Sequence, residues 1–372
     1  MIRALWIRLV APLRTSVVPT AALALASAAC GVTTGGEPEP EPEPIVGWQV
    51  GASEHVALWY HGLATVLGNG RDDHVLPRFE PGYADEIAQV KRRRGVAPTP
   101  LEQRADEFRR TFDASYEGLE FVPLYFRSAD ALFFAIEVWE SAGGNPRRAG
   151  SLQAARVIQF LSSLFPRAAQ RAAVVEWAGL LQQERQLFFQ SYWQERQDAL
   201  QPTIQAVQRE WDALAPALRD YLDFVQLENG ELFLVPALSV EGRLVTQSLT
   251  AARAAILEPP STRPELSILA FVHELAYPVS REAVRDNVAP ARIRELGEER
   301  LFSLAAVRGG SMLLEEVAPE RVEAYQRLYL DAAGQAQTVD GDVDAAFRAA
   351  FPLPEGLESG LRTAVERSLA GI

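Results

Sequence analysis

Apolar residues recur every three to four positions through most of this chain, the spacing of amphipathic helices. In EHVALWYHGLATVLG, Val56, Trp59, Tyr60, Leu63 and Leu67 share one face and Gly68 stops the run, so the pattern predicts a helix from about residue 53. A long connection around one short helix follows, over residues 70–100. Thr99 and Glu102 then stand in a capping-box relation with Pro100 at the first helical position, so a helix should start there. Further helices are predicted over 129–141, 150–164, 167–200 and 203–225, with Pro202 and Pro216 as punctuation.

The period changes after Asn229-Gly230, a turn dipeptide. ELFLVPAL is apolar and β-competent, VEGRLV reads as a turn with strand flanks, and Pro259-Pro260 closes the stretch. This predicts a small sheet of two to four strands. A helix over 263–277 follows, then helices at about 290–306, 319–333, 342–350 and 355–370, with no internal repeat. The expected class is mainly α with a small β-sheet, an α+β fold.

The N-terminus is patterned differently. Residues 1–14 are basic, and TSVVPTAALALASAA forms an apolar stretch too short to span a bilayer comfortably. Cys30 follows at once. This resembles a bacterial lipoprotein signal, in which the lipobox cysteine becomes the first residue and is acylated. It departs from the usual pattern at Ser27, where leucine is preferred. A core cysteine, or a plain secretory cut after Ala28 or Ala29, are the other readings. The Glu-Pro repeat beyond it has nothing apolar to bury, and its prolines favour an extended spacer. The expected organisation is a signal peptide over 1–29, acylated Cys30 and tether over 30–46, a helical subdomain over 47–228, and a sheet with helices over 229–372. The resemblance implies a cell-envelope protein held at a membrane by its lipid. Gly31 carries no retention signal for the inner membrane, which favours the outer one.

Composition narrows the chemistry. A chain of 372 residues with 48% hydrophobic content can bury a substantial core. The formal charge of −13, more negative still without the three arginines of the leader, excludes nucleic acid as a partner. With one cysteine there is no intramolecular disulfide and no cysteine zinc site. Lys91 is the only lysine among 36 basic residues, a bias attributable to base composition.

One stretch carries a candidate chemistry. FVHELAYPV opens like the H-E-x-x-H helix of zinc peptidases, in which two histidines one turn apart hold zinc and the glutamate is the general base. His273 would be the first ligand and Glu274 the base, on an apolar helix preceded by a sheet. Downstream, RELGEERLF offers Glu295, Glu298 and Glu299. The arrangement over about 228–310 resembles a gluzincin-type metallopeptidase, which implies a third zinc ligand from the next helix, Glu298 first and Glu299 next. Two features depart from that family. Tyr277 replaces the second histidine, and a neutral phenol is a poor zinc ligand. Pro278 follows it, so the helix should bend or end there, which would move the base.

The other histidines are His55, His61 and His74. His61 could face a shared cleft or be a polar residue on a helix edge. His74 lies in a loop with Asp72 and Asp73, able to hold a cation weakly. Trp177, Phe188, Phe189, Tyr192 and Trp193 form a stripe that fits a ligand or, more commonly, a core. Gly309-Gly310-Ser311 lacks the lysine and spacing of a phosphate loop. Two functional expectations result. One is a tethered, degenerate zincin-like body that keeps a cleft and binds peptide along a sheet edge. The other is a helical binding or scaffold lipoprotein without catalytic activity.

Overall fold

A computed structural model describes residues 47–68, 75–112, 114–248, 251–335 and 341–371. The leader, Cys30, the Glu-Pro spacer and the Asp72–Asp73–His74 loop lie outside the described residues. The fold is mainly helical, with one small sheet.

The alternation of side chains along two strands sets the layer order. Leu232 and Leu234 enter one hydrophobic core, and their neighbours Phe233 and Val235 enter another. Ala254 and Ile256 join the first of these pairs, and Ala255 joins the second. Strand side chains point to opposite faces at period two, so the sheet separates two cores and is buried on both sides. That explains why the sequence there reads as continuous apolar runs. The strands are β1 (Trp48–Gly51), β2 (Gly230–Val235), β3 (Arg243–Ser248) and β4 (Ala251–Leu257), in the spatial order β1-β2-β4-β3. β1 and β4 pair parallel to β2, and β3 runs antiparallel to β4.

Strand β1 has no counterpart in the sequence expectations, because four residues cannot display a period. Its place is fixed by partners far along the chain. The Trp48 indole donates to the Leu227 carbonyl at 2.7 Å, and the Gly47 amide donates to Asn229 Oδ1 at 2.7 Å. Gln208 covers the open edge, accepting from the Val50 amide at 2.7 Å. Packing crosses residue 228. β1 belongs to the sheet, and Val207, Trp211, Leu218 and Tyr221 pack into the core of the C-terminal helices.

On one face lie the helices Glu54–Leu67, Ala129–Ser141, Leu152–Leu164 and Ala168–Glu184. On the other, the helix Glu265–Asn287 packs against β4 and against the helices Glu298–Val317 and Leu357–Leu369. It does not end at Pro278. Buried Val279, Ala283 and Val284 continue its core face, and that burial offsets the hydrogen bond proline removes. Pro202 likewise sits inside the helix Gln190–Leu214. Gly309 and Gly310 allow the tight contact of Glu298–Val317 with its neighbours: a Cβ at either would collide with the Ser280 or Tyr325 hydroxyl. Among the described residues no helix is long and apolar enough to cross a membrane.

Candidate functional site

Every residue from Leu266 to Ala276 is buried, because this helix is covered by the sheet on one side and by helices on the others. His273 is only 1% exposed. Its Nδ1 lies 3.0 Å from Glu274 Oε1, its Nε2 has no hydrogen-bond partner among the described residues, and its ring leans on Tyr329 with centroids 5.5 Å apart. Glu274 is buried as well, its stem held against Gly242: a Cβ there would come 2.9 Å from Glu274 Cγ. The first ligand and the base of the sequence motif therefore engage each other inside the protein.

Tyr277 sits at the rim, 6.3 Å from the His273 ring between centroids, with its hydroxyl 3.4 Å from Glu299 Oε2. Burial first, then the charges of Glu299, Glu241 and Glu274, push its phenol well above the usual tyrosine range. It remains a neutral phenol at any working pH, which makes it a still poorer ligand than an ordinary tyrosine. Glu298 and Glu299 occupy the first turn of their helix, where a carboxylate complements the positive end of the dipole, and Glu295 pairs with Arg292 at 2.6 Å. Among the described residues no three His, Cys, Asp or Glu side chains are gathered so as to hold a metal ion. His273, Glu298 and Glu299 therefore do not form such a group. A surface groove of about 590 Å³ runs between the helices Val322–Ala332 and Val343–Ala350, and shares no lining residue with the His273–Glu274 pair.

Around Glu274 the structure gathers a charged cluster that sequence spacing could not reveal. Glu120 accepts from both Arg78 and Arg243, the Arg243 Nε–Glu120 Oε2 distance being 2.5 Å. Burial would lower the Arg243 pKa, but the fields of Glu120, Glu241 and Glu274 outweigh it and hold the guanidinium charged. Glu241 accepts from the Ser303 hydroxyl at 2.7 Å. The Tyr60 hydroxyl donates to the Glu120 carbonyl. These contacts join the two helical layers across the end of β3. The cluster balances buried carboxylates with buried guanidiniums.

A second buried network lies wholly in the N-terminal layer. His61 Nε2 donates to Glu184 Oε1 at 3.0 Å, and the Tyr83 hydroxyl lies 3.1 Å from its Nδ1. Lys91 Nζ stands 2.7 Å from Glu184 and 2.7 Å from Glu102, and the Thr99 hydroxyl donates to Glu184. Glu102 closes its capping box by accepting from the Thr99 amide at 2.8 Å. Burial alone would raise the Glu184 carboxyl, but the hydrogen bond and positive field of His61, with those of Lys91, outweigh it and hold it at about 2. The network ties four helices together. Its signal in the sequence was the single lysine, which base composition alone does not place in a core.

The π-helical turn Arg185–Phe189 follows Glu184 directly. Its extra residue per turn brings both Phe188 and Phe189 into the core and leaves Leu187 57% exposed. Trp177, Tyr192 and Trp193 are buried with them, so the aromatic stripe is core. His55 is structural too. Its Nε2 faces the Phe126 carbonyl at 2.8 Å and must donate, which leaves Nδ1 to accept from the Ser53 hydroxyl at 2.6 Å. Burial, aided by the Arg253 charge, lowers its pKa to about 4 against the hydrogen bonds that raise it.

No protein-family model, no curated protein and no solved structure matches the chain.

Proposed function

We propose that the chain is a lipid-tethered protein of the bacterial cell envelope whose body is a non-catalytic binding scaffold. The observation that carries the non-catalytic part is the placement of His273 and Glu274. They bond to each other in the middle of a helix packed on every side, with the candidate acids Glu298 and Glu299 on the first turn of another helix. A hydrolytic site needs its metal and base facing a space the substrate can enter. The buried charge clusters serve rigidity: each ties helices or layers distant in sequence. The tether part is supported by the leader, Cys30 and the Glu-Pro spacer.

Two measurements test this reading. Cys30→Ala should release the protein from the membrane fraction and abolish the acyl modification seen by mass spectrometry; an unchanged distribution sinks the anchor. Purified chain beginning at Gly31 should carry no stoichiometric zinc. Zinc that is present, and that disappears in His273→Ala, would overturn the non-catalytic reading and restore the metallopeptidase one.

A further inference from the structure

One stretch of the surface carries charge of a single sign. In a chain with 49 acidic residues, none falls between Ser141 and Val175, and that stretch holds five arginines: Arg147, Arg148, Arg156, Arg167 and Arg171. It folds as the short turn Pro146–Arg148, the helix Leu152–Leu164 and the start of the helix Ala168–Glu184. Arg148 and Arg171 converge on the Gly143-Gly144 turn: Arg148 Nη1 would lie 3.6 Å from a Cβ at Gly143, and Arg171 Nη1 would meet one at Gly144. Among the described residues Arg147, Arg148, Arg156 and Arg171 have no carboxylate partner, whereas most arginines elsewhere in the body are paired. The negative end of the Ala129–Ser141 helix accounts for one such charge, not for the group. Beside them Leu152, at the head of its helix, is 71% exposed, the most exposed large hydrophobic among the described residues.

We propose that this corner docks on anionic phospholipid headgroups, with the arginines at the phosphates and Leu152 reaching into the acyl boundary. Unpaired guanidiniums around a bare leucine are the chemistry of an interfacial contact. A membrane presents many phosphates together with an apolar layer beneath them. Repulsion between the headgroups and acidic groups farther along the body is screened over about 8–10 Å. A flexible polyanion such as a nucleic acid would meet that acidic surface, and it offers nothing to Leu152. The inference rests on the tethered reading, because the lipid on Cys30 would keep the body beside such a surface.

The test separates docking from tethering by omitting the anchor. Both cores are built from residues between Trp48 and Val365, so the chain beginning at Gly31 retains all of them. That chain should co-sediment with vesicles of phosphatidylcholine mixed with phosphatidylglycerol, should not do so with phosphatidylcholine alone, and should release as salt rises. Arg147→Ala with Arg148→Ala should lower the partition coefficient about thirtyfold, and Leu152→Ser should lower it about tenfold. The control Arg92→Ala with Arg93→Ala removes two exposed arginines elsewhere and should change it little. No binding to the anionic vesicles, as expected if the corner meets an acidic protein instead, overturns the proposal. So does an equal loss in the control. Because this chain has no lipid, failure here leaves the Cys30 result standing, and failure of the Cys30 test leaves this one intact.

Discussion

Replacing Glu184 by glutamine tests whether the buried network around Lys91 holds the N-terminal layer together. The side chain is fully buried, and the substitution preserves its size and its ability to accept a hydrogen bond while removing its charge. Its folded-state pKa of about 2 lies below the reference value of 4.5. A depressed carboxylate contributes stability above its unfolded pKa and loses it as pH falls through the folded one. At about 1.4 kcal/mol per pKa unit, the difference corresponds to about 3 kcal/mol at neutral pH. That agrees with the cost of about 3–5 kcal/mol for removing one partner of a buried ion pair. The measurement is urea unfolding followed by tryptophan fluorescence. It reports on this layer because Trp59, Trp139, Trp177 and Trp193 all lie in its core. At a slope of about 3 kcal/mol/M the midpoint should fall by about 1 M at pH 7. The gap between the two proteins should then close as pH drops from 4.5 toward 2. Combining the change with Lys91→Met gives a coupling energy, expected between about 0.5 and 3 kcal/mol. The reasoning is refuted if Glu184→Gln shifts the midpoint equally at pH 7 and in acid, or if its effect simply adds to that of Lys91→Met.

Three further outcomes follow from single contacts. His55 should make the protein less stable as pH falls from 6.5 to about 4, since its folded pKa is depressed and the unfolded chain binds the proton first; His55→Gln should flatten a stability profile measured across that window. Gly242→Ala should destabilise by about 1–3 kcal/mol, because its Cβ would come 2.8 Å from the Ala255 carbonyl and 2.9 Å from Glu274 Cγ, and thermal unfolding would register the loss. Tyr277→His completes the zinc motif in sequence but should gain no zinc affinity by calorimetry, since the His273 ring is enclosed within the helical core; tight stoichiometric binding would contradict that geometry.

The sequence alone determined what is local. Helix positions followed from the spacing of apolar residues, and starts and stops followed from short-range devices such as Pro100 with Thr99 and Glu102, or Gly68 after Leu67. The class, mainly helical with a small sheet after Asn229-Gly230, followed from the change of period, because burial of one face per element imposes a period on the residues themselves. What depended on residues distant along the chain was not legible. Pro202 and Pro278 look like breaks, yet both lie within helices, because packing of the residues beyond them outweighs the lost hydrogen bond. Strand β1 exists only because β2, nearly two hundred residues later, offers it an edge. HELAY reads as chemistry, yet the same two side chains become a buried pair once a sheet and several helices close around them. Lys91, Glu184 and His61, or Arg243, Glu120 and Glu274, leave no pattern along the chain. A charge is tolerated in a core only where partners arrive through the fold, and which partners arrive is a property of the tertiary structure.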